Sequence, residues 1–363
     1  MIAIFRTDSS IAIGTGHVMR CLTLADSLSS DGFDCRFLCR DLTGNLIDLI
    51  FARGYQTYKL PSEMLNDESS SVSEELTPYS EWLGVSQLHD ADQCLDILES
   101  LGVSWLIVDH YALDVVWETK VRSSVSKLMV IDDLATNRHD CDLLLDQSLA
   151  RSKMDYLGKV PSSCKLLCGS DYALLRPEFS KWREVSLMRR SRGELSTIFI
   201  NLGGVDTTNI TCDILDCLQN SQLPGNCNII VVMGSTAPWI ELVRKKAAEM
   251  RWKTTVEVGV SNMAELMANS DLAFGAAGST SWERCCLGLP TFLFVLARNQ
   301  ENIAKTLEEM GAAKVLQLEH LSEEISAISL LNSKEMLQTM SKVGAEISDG
   351  MGISRVIKIM KEF

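Results

Sequence analysis

Short apolar runs alternate with amphipathic segments along most of the chain. Most of the runs consist of Val, Ile, Leu and Phe, the composition of strands that are covered on both faces of a parallel sheet. The runs form two series. The first lies at residues 2–6, 35–39, 105–109, 128–132, 143–146 and 165–168, and the second at 198–202, 228–233, 254–258, 272–275, 291–295 and 313–316.

The segments between the runs have helical periodicity. Strands that alternate with helices predict βαβ units, and two such series predict an α/β protein with two Rossmann-like domains. We expect the domains to face each other across a cleft, the GT-B type of architecture, with ligands at the carboxyl ends of the strands. The clearest helical stripe consists of Val18, Cys21, Leu22, Ala25 and Leu28, and Gly32 follows where the helix is expected to end.

The length of 363 residues also favours two domains. A charged stretch at 181–194 with few apolar residues is the predicted boundary. The expected parts are an N-terminal domain at 1–185, a C-terminal domain at 194–345, and a last helix at 346–363 that packs back across the boundary. Acidic and Ser-rich sequence within 61–92 predicts a long surface insertion, with a short ordered piece around 79–87.

Composition narrows the classes of partner. The net charge is −14 and no block of five or more Lys/Arg residues occurs, which argues against nucleic acid and anionic membranes. The 12 cysteines form no C-x-x-C pair, so we interpret them as small buried residues in a reducing cytoplasm rather than as zinc ligands or disulfides. No apolar stretch reaches the ~18–20 residues of a membrane span. We therefore expect a cytoplasmic protein without metal or cofactor; the oligomeric state is not indicated.

The turn after the first strand carries the first candidate chemistry. Gly14 and Gly16 permit a tight turn and a close approach to a ligand, and His17 follows in the first turn of a helix. A helix N-terminus disfavours the protonated imidazole, so His17 is expected to stay neutral and able to accept a proton. The alternative is an ordinary capping or core histidine after a glycine turn.

A second glycine-rich turn follows the strand at 272–275. Small residues from 275 to 281 allow a diphosphate to approach, and Glu283 is placed to accept hydrogen bonds from ribose hydroxyls. A well-capped helix with an acidic first turn would give a similar pattern. The candidate ligand residues of this turn are Gly278, Ser279, Thr280, Ser281 and Glu283.

Two further turns of the second domain are candidates for ligand contact. Gly203 and Gly204 fit a second phosphate contact, or a plain turn in which Asp206 caps the next helix. Asn299 and Gln300 follow the strand at 291–295, where amides suit sugar hydroxyls or N-acetyl groups; helix capping by Asn299 is the alternative.

In the first domain, polar residues follow two strands. Asp109 and Tyr111, and the pair 132–133, are expected to contact the sugar at the carboxyl ends of their strands. Asp140 and Asp142 form an Asp-x-Asp pair of the kind that holds a divalent ion in some glycosyltransferases. Because this pair precedes a strand instead of following one, we favour a structural role for it.

Together these segments resemble the PseG family, the UDP-2,4-diacetamido-2,4,6-trideoxy-β-L-altropyranose hydrolases of pseudaminic acid biosynthesis, which share their fold with MurG-type GT-B glycosyltransferases. The resemblance extends over most of the chain, with small departures at loop positions 136–138 and 148. It rests on IGTGHVMRCLTLA at 13–25, WLGVSQ at 82–87, VDHY at 108–111, IDDLA at 131–135, CDLLLDQ at 141–147, YALLRPEF at 172–179, GGVD at 203–206, GSTSWE at 278–283 and NQ at 299–300.

The resemblance implies a hydrolase that releases a diacetamido sugar and UDP by attack of water at the anomeric carbon, with inversion and without a metal. It carries the catalytic histidine onto His17, UDP binding onto 278–283, and a ligand contact onto Asn299. Two alternatives stay open. One is a GT-B glycosyltransferase that uses a UDP-sugar donor, and the other is a non-catalytic nucleotide-sugar-binding protein.

Overall fold

The computed structural model describes residues 1–62, 79–330 and 334–363, with the backbone alone at 299 and 326–330. The chain forms two compact units. The first comprises Met1–Leu174 together with Ile353–Phe363, and the second comprises Leu175–Gly352. Within the described residues, no helix is both long enough and apolar enough to cross a membrane.

The first unit contains a sheet of seven parallel strands in the order β3-β2-β1-β4-β5-β6-β7. The predicted strands of the first series are all present, and their ends lie within three residues of the expected ones. The strands are β1 (Ile2–Thr7), β2 (Asp34–Arg40), β3 (Gln56–Leu60), β4 (Val103–Asp109), β5 (Val125–Ile131), β6 (Leu143–Asp146) and β7 (Lys165–Cys168).

Helices cover both faces of this sheet. Alternate residues of each central strand pack on opposite faces, as Phe5 and Ile4 do in β1. One face carries α1 (Gly16–Ser30), α2 (Ile47–Ala52) and the C-terminal helix, and the other carries α3 (Ser80–Leu83), α4 (Gln87–Leu98) and α5 (Val115–Val121). This double coverage explains why the strands have continuous apolar runs.

The predicted surface insertion at 61–92 is too long. Residues 63–78 lie outside the described part of the chain, and the expected ordered piece around 79–87 contains α3. The first half of α4, which also falls within 61–92, belongs to the packed unit. Leu83 and Ala91 lie in the core, and the carboxylate of Asp90 is fully buried. The polar composition of α4 resembles that of a surface segment, but the charged side chain of Asp90 is paired inside the unit, as described below.

Strand β3 was not predicted. Its sequence, QTYKL, has only one fully apolar aliphatic residue, because β3 is the edge strand and pairs with β2 alone. An edge strand is partly exposed and does not need a continuous apolar run.

The second unit contains a sheet of six parallel strands in the order β10-β9-β8-β11-β12-β13. All six were predicted. They are β8 (Thr197–Asn201), β9 (Asn228–Met233), β10 (Lys253–Val258), β11 (Leu272–Ala276), β12 (Thr291–Phe294) and β13 (Ala313–Val315). The helices are α6 (Pro177–Arg190), α7 (Ile210–Gln219), α8 (Ile240–Glu249), α9 (Met263–Ala268), α10 (Thr280–Cys286), α11 (Glu301–Glu309), α12 (Leu321–Leu330) and α13 (Lys334–Ile347).

The division between the units falls at Leu174 and Leu175, before α6. Most of the charged stretch at 181–194 lies in α6, which starts with Pro177 in its first turn and belongs to the second unit. The last helix, α14 (Gly352–Met360), returns to the first unit. Its residues Ile353, Val356, Ile357 and Met360 are buried in that unit's core.

Each sheet reverses its strand order once. The reversal lies between β1 and β4 in the first unit, and between β8 and β11 in the second. Turns at the carboxyl ends of such neighbouring strands diverge and leave room for a ligand. In the first unit the register aligns Thr7 with Asp109, so the turn after β1 and the end of β4 are adjacent.

Candidate functional site

The turn after β1 is built around two glycines that differ in their structural demands. Gly14 has φ +79°, in the left-handed region that favours glycine, and its N–H donates to the carbonyl of Ser10 at 2.9 Å. Gly16 begins α1 with an ordinary φ, and a Cβ there would meet nothing within 4 Å. The backbone conformation therefore explains Gly14, whereas neither conformation nor packing within the chain explains Gly16.

His17 is paired with Asp109, the last residue of β4. Its Nδ1 lies 2.6 Å from Oδ1 of Asp109, and the carboxylate has no exposed surface. An ionised carboxylate can only accept, so we assign the proton to Nδ1, which leaves Nε2 as the proton acceptor. The His17 side chain keeps 9% of its surface exposed, so the ring is not sealed inside the core.

Arg20 holds the other side of the same carboxylate. Its Nε donates to Oδ2 and its Nη2 to Oδ1 of Asp109, both at 2.6 Å, in a two-point contact. Burial by itself would raise the pKa of Asp109, but Arg20 and His17 together hold it well below the usual range. Asp109 is therefore a fixed negative charge behind the imidazole.

A second carboxylate extends this cluster to Tyr111. Arg20 Nη1 donates to Asp133 at 2.7 Å, and the Tyr111 hydroxyl donates to the other oxygen of Asp133. The Tyr111 ring meets His17 edge-on, with centroids 4.6 Å apart. Burial raises the pKa of Tyr111 well above its usual value, so the phenol stays protonated.

Two more aromatic rings lie beside Tyr111. Trp82 stacks on it at 5.8 Å between centroids, and Tyr79 is 5.1 Å away. Both Trp82 and Tyr79 are half-buried. Trp82 also meets His17 edge-on at 6.4 Å. The imidazole is thus bordered by an aromatic surface on one side and by charged groups on the other.

A separate buried ion network anchors α4 near the ends of β1 and β2. Asp90 accepts from Arg6 at 2.6 and 3.0 Å, from Arg40, and from the indole N–H of Trp117 at 2.9 Å. Burial by itself would raise the pKa of Asp90, but the two guanidinium groups hold it well below the usual range. These contacts fix the fold around the turn, and none of them includes His17.

Asp132 and Asp142, two further acidic candidates of the first domain, have structural partners. Asp132 accepts from the backbone N–H groups of Leu134 and Ala135 and lies 3.6 Å from His139. Asp142 accepts from the N–H of Leu128 at 2.9 Å and pairs with Arg122 at 2.8 Å, which ties β6 to β5. Among the described residues, no group of three or more His, Cys, Asp or Glu could hold a metal ion.

In the second unit, the backbone of the turn after β8 lies close to the backbone of Gly234, which follows β9. Gly203 has φ +91°, and a Cβ on Gly234 would lie 2.1 Å from the carbonyl oxygen of Gly204. Asp206 accepts from the N–H groups of Ile210 and Thr211, both at 3.0 Å. Asp206 therefore caps α7, while the two glycines shape the loop.

The turn after β11 is organised by Arg284. Its guanidinium donates to the hydroxyls of Thr280 and Ser281, two residues that the sequence predicts to contact the ligand. Ser279 is exposed and its side chain makes no capping hydrogen bond. Glu283 is half-buried, and burial raises its pKa to about 7. A ligand group that donates a hydrogen bond to Glu283 would therefore stabilise the ionised carboxylate.

Gln300 reaches the same turn. Its Oε1 accepts from the N–H of Leu296 at 2.9 Å, and its Nε2 lies 4.0 Å from where a Cβ of Gly278 would be. The structure thus brings Gln300 next to Gly278 within the second unit. The side chain of Asn299 lies outside the described residues.

Comparisons with known proteins identify the family. Residues 197–351 match the model of the glycosyltransferase family 28 C-terminal domain. The chain is 30% identical over 312 residues to the UDP-2,4-diacetamido-2,4,6-trideoxy-β-L-altropyranose hydrolase of Campylobacter jejuni subsp. jejuni serotype O:2, covering 86% of this chain and 97% of that protein. The chain belongs to that hydrolase family, the PseG family.

Two further matches place this PseG family member among its relatives. It is 28% identical to the spore coat polysaccharide biosynthesis protein SpsG of Bacillus subtilis (strain 168), over 56% of this chain and 60% of that protein. It superposes on MurG of Acinetobacter baumannii with a TM-score of 0.71 and 16% identity, covering 100% and 99% of the two chains. The MurG likeness confirms the predicted GT-B type of fold with two parallel-sheet α/β domains.

The prediction from sequence missed two residues of the cluster in this PseG family member. Arg20 lies in the motif that carries the family resemblance, but the sequence indicates no role for it, although a residue three positions after His17 in a helix shares its face. Trp82 also lies in a matching motif, within the segment interpreted as part of an insertion. No local signal linked either residue to Asp109 or Tyr111, which are distant in sequence.

Proposed function

We propose that this PseG family member hydrolyses a UDP-linked 2,4-diacetamido-2,4,6-trideoxy sugar to the free sugar and UDP, in nonulosonate biosynthesis of the pseudaminic acid type. The observation that carries the proposal is the 2.6 Å contact between His17 Nδ1 and Asp109 in the matched Gly-x-Gly-His turn. The name of the Campylobacter relative supports the choice of substrate. The free cysteines fit an enzyme of a reducing compartment, the cytoplasm.

The step follows from the orientation of the imidazole. His17 Nε2 takes a proton from water while the water oxygen bonds to the anomeric carbon. The bond from that carbon to the diphosphate oxygen breaks, its electron pair leaves with UDP, and the carbon inverts. Asp109 stabilises the imidazolium that forms and holds its tautomer, and general base catalysis of this kind typically contributes about 10²–10⁴-fold.

We assign the sugar end of the substrate to the first unit and UDP to the second. Gly14, Gly16 and Tyr111 would contact the sugar, whereas buried Asp109, with both oxygens occupied, would act by positioning His17. Glu283 would accept from ribose hydroxyls. The remaining residues assigned to UDP or to the N-acetyl groups are Gly203, Gly204, Gly278, Ser279, Thr280, Ser281, Asn299 and Gln300.

The test replaces His17 by Asn and by Leu. We expect UDP affinity close to that of the unchanged chain, by calorimetry, and turnover lower by at least about 10²-fold, with the free sugar detected by NMR. A panel of UDP-diacetamido sugars identifies the substrate. Near-normal turnover of both variants would remove His17 from the mechanism.

Hydrolysis in ¹⁸O-labelled water tests the site of attack. Attack on the anomeric carbon places the label in the sugar, whereas label in UDP would show attack on phosphorus. The reaction is expected to proceed unchanged in EDTA. Strong inhibition by EDTA would contradict the proposed metal-free step and return attention to Asp140 and Asp142.

A glycosyltransferase that uses a UDP-sugar donor is the second candidate, favoured by the match of 197–351 to a glycosyltransferase family 28 domain. The two candidates share the nucleotide half of the substrate and differ in the acceptor. Release of UDP from the UDP-sugar with water as the only acceptor supports the hydrolase. Release that requires an added acceptor supports the transferase.

A further inference from the structure

Arg284 is a buried cation that has no carboxylate within ion-pair distance among the described residues. Only 1% of its surface is exposed. Burial lowers the pKa of Arg284 to about 10, which leaves the guanidinium charged at neutral pH. A buried charge is costly unless it is compensated. The neighbouring carboxylate of Glu283 attracts the guanidinium, but burial raises the pKa of Glu283 to about 7, so the fold compensates this positive charge only in part.

The contacts of Arg284 are confined to one turn. Nη2 donates to the carbonyl of Ala276 at 2.7 Å and to the hydroxyl of Ser281 at 3.0 Å, and Nη1 donates to the hydroxyl of Thr280 at 3.1 Å. All three acceptors are neutral oxygens. A hydroxyl that accepts from Arg284 directs its own proton elsewhere, so Thr280 and Ser281 are left as donors.

The guanidinium of Arg284 leaves no room for a side chain at Gly275. A Cβ at Gly275 would lie 2.5 Å from Nη1 and 2.9 Å from the guanidinium carbon. From the sequence, Gly275 was one of the small residues that admit a ligand. The structure gives it another role, because the space next to Gly275 is filled by the guanidinium.

We propose that Arg284 is a positioning residue for the diphosphate of the UDP-sugar: it places a positive charge, compensated only in part by the fold, behind the 276–281 turn and orients the hydroxyl of half-buried Thr280 as a donor. The inference rests on the proposed function and deepens it. A diphosphate carries the negative charge that this turn lacks, and it accepts hydrogen bonds from hydroxyl groups. A uridine without phosphate offers neither.

The test compares UDP with uridine on the full chain by calorimetry. In Arg284→Met we expect UDP to bind about tenfold more weakly while the dissociation constant of uridine stays within about twofold. Arg284→Lys, which keeps the charge, is expected to recover most of the loss. If Arg284 only held the fold together, both ligands would weaken equally and Lys would give no rescue.

Arg190→Met is the matched control. Arg190 is also buried in the second unit and also donates to carbonyl oxygens, those of Met267, Ala268 and Ser270, but none belongs to the 276–281 turn. Its loss is expected to lower the melting temperature and to leave the ratio of UDP to uridine affinity unchanged. A shift of that ratio equal to the one in Arg284→Met would overturn the proposal.

Gly275→Ala decides the question if Arg284→Met fails to fold. The added methyl displaces the guanidinium while keeping the arginine, so UDP should weaken and uridine should not. Unchanged UDP affinity in every folded variant overturns the inference but leaves hydrolysis intact. A parent chain that binds no UDP overturns the proposed function itself, which separates the two failures.

Discussion

Asp109 is the residue on which the geometry of His17 depends. Its two carboxylate oxygens accept from one imidazole nitrogen and two guanidinium nitrogens, all at 2.6 Å, and no water-facing surface remains. An amide at this position would have the same shape but would present N–H to groups that themselves donate. The orientation of the ring would then no longer be fixed.

Asp109→Asn is therefore expected to lower kcat by about 10²–10⁴-fold with little change in UDP affinity. Steady-state kinetics and calorimetry on the same preparation measure the two effects. The matched control is Asp34→Asn, whose side chain is 52% exposed and pairs with Arg36 at the start of β2. A kcat near that of the control would contradict the positioning role of Asp109.

At the scale of elements, His139 joins α5 to the turn that follows β5. Its Nδ1 lies 2.7 Å from Glu118 of α5, and its Nε2 lies 3.6 Å from Asp132, which follows β5. Burial by itself would lower the pKa of His139, but these two carboxylates raise it to about 10. The partners differ, because burial raises the pKa of Glu118 while hydrogen bonds lower that of Asp132.

This pairing predicts a pH dependence of stability. The folded chain binds the His139 proton more tightly than the unfolded chain, so the contribution is complete below about pH 6.5 and is lost as the pH rises towards 10. We expect about 1.5–3 kcal/mol less free energy of unfolding across that window, relative to His139→Gln. Urea unfolding at several pH values measures it, and parallel curves for the two chains would contradict the assignment.

Most elements were predictable because their signals are local. Central strands that are covered on both faces show continuous apolar runs, and twelve of the thirteen strands of the described residues were predicted. Edge strand β3 has no such run and was missed. The first half of α4 was assigned to a surface insertion because Asp90 looks like a solvated charge, whereas Arg6 and Arg40 neutralise it inside the unit.

At the scale of the molecule, the first unit is completed by the far end of the chain. Ile353, Val356, Ile357 and Met360 of α14 are each at most 6% exposed and belong to the same cluster as Phe5 and Leu22. Full burial of such a side chain is worth about 1.5–3 kcal/mol. The burial of all four side chains is therefore comparable to the ~5–15 kcal/mol free energy of unfolding of an ordinary domain.

Removal of residues 352–363 is therefore expected to unfold the first unit or to leave it strongly destabilised. Hydrogen exchange resolved by peptide would show loss of protection in β1, β2 and α1. Lys358→Ala, an exposed position on the same helix, should leave exchange unchanged. Retained protection after the truncation would contradict the role of α14 in this core.

Features that depend on neighbours along the chain could be predicted from the amino-acid sequence. The spacing of apolar residues sets the parallel strands and the helical stripes, Gly14 sets a left-handed turn, and the short Gly-x-Gly-His order singles out His17. The motifs together also indicate the family, because they are distributed along most of the chain.

Contacts between residues that are distant along the chain became visible only in the folded protein. His17 and Asp109 are 92 positions apart, and they come together because β1 and β4 are adjacent strands and their carboxyl ends share one edge of the sheet. Arg20 gains its role from the same adjacency, and Gly275 is small because of a guanidinium nine residues later that folds back onto it. Charge compensation and steric exclusion act between atoms in space, so no local pattern of residues records them.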